Sequence, residues 1–201
     1  MDEDEYLTID QGNTAEIKVK GSKFIGTIRP VTTEPEAFEF INYISKKFYD
    51  ATHNCYAFLI GYQPSIIARY SDAGEPPGTA GPPILNVIKG KNLTNVAVVV
   101  TRYFGGTKLG KGGLVRAYSE CTQKAIEQCS LEKKYIYERI QLEFNYALTG
   151  PIMRVVSSFQ AKINESLHGQ TTKLILYVRK SIVEQFKLNL VEVTSGKINI
   201  E

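Results

Sequence analysis

The sequence predicts an α+β protein built from two domains. Three observations carry that expectation. Strand-like and helix-like segments alternate up to a polar tripeptide, Glu132-Lys-Lys134, which reads as a hinge. The remainder repeats a simpler pattern that spells βαββαβ, the ferredoxin-like plan. Finally, 201 residues with 43% hydrophobic and 22% charged side chains suit two small domains, each able to bury a core. The expected boundaries are 1–132 and 135–201.

Each element follows from local chemistry. Glu16–Lys20 and Lys23–Ile28 read as strands around a turn at Gly21-Ser22. Thr33 can cap a helix, with Glu36 reaching back to it. Ala37, Phe40, Ile41, Ile44 and Phe48 then recur at helical spacing on one face. Cys55–Ile60 and Ile66–Ser71 read as strands, and Asp72–Gly81 as a Gly/Pro loop. Pro82–Ile88 reads as a short helix. Val96–Val100 is a continuous β-branched run that needs cover on both faces. Tyr103–Gly113 reads as a glycine loop, followed by a helix from Leu114 to about Cys129.

Beyond the hinge, Tyr137–Tyr146 alternates as a strand. Pro151 suits a first helical position, with the helix running to about Ile163. A short strand near Glu165–Leu167 completes the plan together with the strand Lys173–Val178. A helix opening on a capping box at Ser181-Ile-Val-Glu184 and a closing strand at Lys197–Glu201 follow.

Composition excludes several classes. No run approaches the roughly 18–20 apolar residues of a membrane span. The acidic start, Met1-Asp-Glu-Asp-Glu5, is unlike a secretory signal, so a cytoplasmic protein is expected. Cys55, Cys121 and Cys129 are odd in number and form no CxxC pair, which argues against disulfides and a zinc ribbon. No metal and no cofactor are expected. Asn92-Leu-Thr94 is a formal sequon without meaning in such a compartment. His168, before Gly169, reads as a solvated turn residue.

The net charge is only +3, but its distribution is uneven. Pro76 to Ser119 contains no Asp or Glu and holds Lys89, Lys91, Arg102, Lys108, Lys111 and Arg116. A local positive field follows from that arrangement. Within it, Gly105, Gly106, Gly110, Gly112 and Gly113 allow close approach to a backbone, and the N–H groups of a helix start favour anions. Arg102, Lys108, Lys111 and Arg116 add full charges, so phosphate is the natural guest. Tight packing is the competing reason for the glycines. Tyr103, Phe104 and Tyr118 are interleaved with the charges and could stack bases, or simply be core. Gly105-(x)4-Gly110-Lys111 mimics a Walker A loop, but Gly112 stands where Ser or Thr would hold magnesium.

A second constellation is His53 and Cys55 with Asp72 and Glu75. These residue types could build a nucleophile–base pair or a metal site. Packing explains a buried Cys equally well. They are weak catalytic candidates.

Ser71-Asp-Ala-Gly-Glu-Pro-Pro-Gly-Thr-Ala-Gly81, Pro83-Ile-Leu85, Val98-Val-Val-Thr-Arg-Tyr-Phe-Gly-Gly106, Lys108-Leu-Gly110 and Gly112-Gly-Leu-Val-Arg-Ala-Tyr118 together resemble the signature of the IMPACT/YigZ family. Lys20-Gly-Ser-Lys-Phe24 and Thr52-His-Asn-Cys55 match its N-terminal pattern. The resemblance implies a first domain similar to elongation factor G domain IV and to the second domain of a small-subunit ribosomal protein. It implies a second domain similar to the ferredoxin-like domains of elongation factor G. Eukaryotic relatives act in translational control through an extra N-terminal domain that has no counterpart in this sequence. For bacterial members it implies nucleic-acid or ribosome binding. Pro77 and Pro82 stand where the family commonly has Ser and Arg, and Lys111 where it has a small residue.

Three functions are therefore carried forward. The first is a non-enzymatic module that binds RNA or the ribosome and is linked to translation. The second is an enzyme acting on a phosphorylated small molecule or nucleotide, with Asp72 or Glu75 supplying acid–base work. The third is a protein–protein adaptor.

Overall fold

The β-branched run becomes the middle strand of the larger sheet. The computed structural model describes residues 4–169 and 171–201, and the chain folds as two compact units. One unit is Tyr6–Lys133; the other joins Lys134–Glu201 to the segment ending at Glu5. Asp4 and Glu5, expected within the first domain, thus group with the second.

The first unit opens with β1 (Glu5–Ile9), which pairs with β7 (Leu131–Tyr135) as a two-stranded sheet. The tripeptide read as a hinge, Glu132-Lys-Lys134, is therefore strand. Its polar side chains conceal the strand because β7 is largely exposed. Next come β2 (Asn13–Val19) and β3 (Ser22–Pro30), antiparallel around a turn at Lys20-Gly21. Both turn residues have positive φ (46° and 83°), as a type I′ hairpin requires.

Helix α1 (Glu34–Lys47) is capped by Thr33, whose Oγ1 accepts the Glu36 N–H at 3.3 Å. Glu36 reaches back one residue further than the expected box. Its Oε2 accepts from Thr32 N and Oγ1 at 2.7 and 3.0 Å. The strands β4 (His53–Ile60) and β5 (Ile67–Ser71), helix α2 (Gly81–Gly90), strand β6 (Val96–Tyr103) and helix α3 (Gly110–Glu127) complete this unit.

Strand order is β2-β3-β6-β4-β5, antiparallel throughout. On one face Ala37, Phe40, Ile41 and Ile44 of α1 meet Phe58, Ile60, Ala97 and Val99. On the other, α2 and α3 place Ile84, Ile88, Leu114, Tyr118 and Cys121 against Phe24, Ile28, Val98 and Val100. Each such side chain stabilises the fold by about 1.5–3 kcal/mol on burial. Covered on both sides, β6 is buried from Val96 through Arg102, which explains the absence of alternation.

Helix α3 begins four residues earlier than the sequence suggests. Three glycines near its start disfavour helix by up to about 1 kcal/mol each, which hid the true start. Packing of Leu114, Ala117 and Tyr118 outweighs that cost.

The second unit contains β8 (Tyr137–Asn145), α4 (Thr149–Ser158), β9 (Lys162–His168), β10 (Thr171–Arg179), α5 (Val183–Thr194) and β11 (Ile198–Ile200). Sheet order β11-β8-β10-β9 is the ferredoxin-like arrangement, with β9 where the short strand was expected. Its core gathers Ile140, Leu142, Ile152, Val156, Leu176, Phe186 and Leu190.

Two details differ from expectation. Helix α4 includes Thr149 and Gly150 before Pro151 and ends at Ser158. There Gln160 turns left-handed (φ 53°), and Ala161 N–H closes onto Val156 O. Ser181 is not a helix cap. It lies in a 3₁₀ turn, and its N–H and hydroxyl both donate to Asp4 Oδ2, at 3.0 and 2.7 Å. The backbone of His168 ends β9; its side chain lies outside the described residues.

Candidate phosphate-binding cleft

The end of β6, the Asp72–Gly81 loop and the start of α3 surround a cleft of about 420 Å³. Its lining includes Thr52, His53, Glu75, Arg102, Phe104, Lys108, Gly110 and Lys111, so the structure joins parts of both sequence constellations.

Arg102 was expected to touch phosphate. Instead it is drawn inward by the doubly covered strand that carries it. Its side chain is 7% exposed and that of Glu75 3% exposed, and the Arg102 Nη1–Glu75 Oε1 contact is 2.6 Å. Nη2 donates to Ser22 Oγ at 3.4 Å, while Nε has no partner among the described residues. The guanidinium also lies 5.5 Å from the ring centres of Phe24 and Phe104. Arg102 thus holds Glu75 rather than facing solvent.

Glu75 Oε1 also accepts from the Tyr118 hydroxyl at 2.8 Å. Burial holds the Tyr118 phenol well above its ordinary pKa, so it remains a donor. Glu75 Oε2 accepts no hydrogen bond from the described residues, on a side chain that lines the cleft.

Asp72 organises the loop. Oδ1 accepts from Ala80 and Gly81 N–H, and Oδ2 from Gly78 N–H, each at 2.9 Å. Burial pushes its pKa up, and these N–H groups outweigh burial and hold it below the ordinary value. Both its oxygens thus accept from backbone N–H groups of its own loop. Cys55 is fully buried, with Sγ 2.9 Å from Asp72 O and 3.3 Å from Tyr118 Oη. Burial pushes the thiol up to about 12, which favours the protonated thiol over the nucleophilic thiolate. His53 differs from both. Its Nδ1 lies 2.9 Å from Ala73 O, and a carbonyl can only accept, so Nδ1 carries the proton.

The glycines divide by role. A Cβ on Gly105 would lie 1.9 Å from Gly21 C, so this glycine lets the loop touch the β2–β3 turn. Its N–H donates to Ser22 Oγ at 3.1 Å. Gly110 has φ 70° and turns the chain into α3 with open space around it. Gly106 lies in the exposed loop, and Gly112 and Gly113 lie inside the first turn of α3. Tyr103 stands outside the lining, its hydroxyl donating to Asp50 Oδ1 at 2.8 Å.

Helix α3 has no side-chain cap and no acidic residue in its first turn. Lys108, Lys111 and Arg116 are exposed, and none has an ion pair among the described residues. An uncapped helix start with exposed lysines near it is an arrangement whose electrostatics favour anions.

Residues 20–126 match the family described as the Impact N-terminal domain, and residues 142–197 match a domain of unknown function, DUF1949. The chain belongs to the IMPACT family. It is 35% identical to the IMPACT family member YvyE of Bacillus subtilis (strain 168) over 98% of this chain and 90% of that one. Identity to the IMPACT family member YigZ of Escherichia coli (strain K12) is 29%, covering 91% and 90%. A crystal structure titled as a hypothetical protein superposes with TM-score 0.73 at 28% identity, covering 98% of this chain and 96% of that chain.

In this IMPACT-family chain, Lys111 lies on the cleft and Pro82 in the first turn of α2. Sequence reasoning named Thr52 and Ser22 only within longer motifs and gave neither a role of its own; it missed the Tyr118–Glu75 bond because Tyr118 sits at core spacing on α3. Among the described residues no cluster of three His, Cys, Asp or Glu side chains is placed to hold a metal ion, and no helix is long and apolar enough to cross a membrane.

Proposed function

We propose that this protein is a non-enzymatic binding module for single-stranded RNA, ribosomal RNA included, working in translation as its family resemblance implies. The supporting observation is the uncapped start of α3 with Lys108 and Lys111 exposed beside it, opening on the cleft. Arg116 lies on the next turn of the same helix. With Arg102 committed to Glu75, three side chains remain for phosphate. Neutralising about three phosphates gives a single-strand salt slope of roughly −2 in log–log form. The test is titration of fluorescent single-stranded RNA at several salt concentrations, with Lys108→Glu/Lys111→Glu beside the wild type. Salt-dependent binding lost in the double variant supports the reading; binding that ignores salt, or none at low salt, overturns it.

A second reading, an enzyme acting on a phosphorylated small molecule, draws on His53. With Nδ1–H held by Ala73 O, neutral His53 has Nε2 as a base beside Glu75 on the cleft wall. Its test is a thermal-shift screen of phosphorylated metabolites. A ligand at 100 times its dissociation constant adds ~2.7 kcal/mol, and a screen without a hit removes this reading.

A further inference from the structure

We propose that the cleft takes a nucleoside 5′-monophosphate as a unit, either the 5′ end of an RNA strand or a free nucleotide. This rests on the reading that phosphate binds at α3 and names what must be attached to that phosphate. Three observations converge on it.

The first is size. A concavity of about 420 Å³ lies within the roughly 300–1,000 Å³ typical of small-molecule sites. A strand running through would need an extended groove; a pocket of this volume accepts a terminus or a single residue.

The second is polarity. The lining carries Lys108, Lys111 and the start of α3, which attract anions. Glu75, a side chain only 3% exposed, presents Oε2 without a hydrogen-bond donor among the described residues. A carboxylate repels phosphate and accepts from hydroxyl or amine groups. A ligand that satisfies both features carries an anionic group and a hydrogen-bond donor. Ribose hydroxyls and base amino groups supply that donor on a nucleotide.

The third is an aromatic ring on the same lining. Phe104 is 47% exposed on the cleft, and its ring is backed by the Arg102 guanidinium at 5.5 Å. A ring fixed from one side and open on the other is a stacking surface for a base.

The experiment uses a 3′-fluorescein-labelled single-stranded oligoribonucleotide bearing either a 5′-phosphate or a 5′-hydroxyl, with adenosine 5′-monophosphate as competitor. The 5′-phosphate should tighten binding about tenfold, and Lys111→Ala, at an exposed position, should abolish the preference. Phe104→Ala should weaken both the labelled strand and the free nucleotide. Competition by the mononucleotide at its own dissociation constant identifies free nucleotide as a source. A persistent 5′-phosphate preference without such competition identifies the RNA end. Equal, salt-dependent binding of the two oligonucleotides overturns this inference and leaves the RNA reading standing. Failure of both oligonucleotides and of the mononucleotide overturns the two together.

Discussion

Two arginine–carboxylate pairs anchor the two units, and they are built to different ends. In the second unit, Asp4 is fully buried. Its Oδ1 accepts from Arg179 Nη2 at 2.8 Å; its Oδ2 accepts from Arg179 Nε and from the N–H and hydroxyl of Ser181. Both oxygens are satisfied internally. In the first unit, Arg102 and Tyr118 converge on one oxygen of Glu75, and the other oxygen is left on a cleft wall. A fully bonded carboxylate reports structure. A half-bonded one, on a cleft that Lys108 and Lys111 also line, keeps an oxygen able to accept from a guest.

The comparison can be broken most severely at Glu75. Glu75→Ala strands a buried guanidinium and should cost about 3–5 kcal/mol in chemical denaturation of the first unit. A loss below 1 kcal/mol would mean that Arg102 finds water instead. At the other pair, Asp4→Asn should cost on the order of 2 kcal/mol, since charged hydrogen bonds are lost with a part-exposed partner. Hydrogen bonds from Arg179, opposed by burial and aided by Ser181, lower the Asp4 pKa to about 2. A lowered carboxylate pKa stabilises above the unfolded value near pH 4, and that contribution disappears as pH falls through about 2. Melting temperatures of wild type and Asp4→Asn should therefore differ at neutral pH and converge toward about pH 2; curves that stay parallel would deny the clasp its charge.

The smallest effects sharpen the contrast. Ser22→Ala and Ser181→Ala each remove a hydroxyl worth about 1 kcal/mol. Ser22 supports Arg102 and the Gly105 N–H, so its loss should also weaken RNA binding, whereas Ser181→Ala should leave it unchanged. Equal affinity in all three proteins would disconnect the Arg102 network from the cleft.

Much of this was legible in the sequence because the signals were local. The Val96–Val100 run announced a doubly covered strand, and the spacing of Ala37, Phe40, Ile41 and Ile44 announced the buried face of α1. The acid-free stretch contains Lys108 and Lys111, both of which line the cleft. What stayed hidden depended on partners far along the chain. Ser181 through Glu184 carries the letters of a capping box, yet Asp4, 177 residues away in sequence, captures the serine. Arg102 looked like a surface cation, although continuing β6 to Tyr103 would have buried it. The glycines masked the start of α3 because their propensity opposes the packing that decides it. β1 and β7 carry too little alternation to stand out.

The clasp at Asp4 also imposes an order in time. Tyr6–Lys133 is one uninterrupted stretch and can fold as soon as it is synthesised. The Asp4–Arg179 bond spans 175 residues and must wait for Arg179. At about 5–20 residues per second, translation delays it by roughly 10–35 s after Asp4 is made. During that interval the cleft-bearing unit can already be complete, and the bonds that satisfy Asp4 form last.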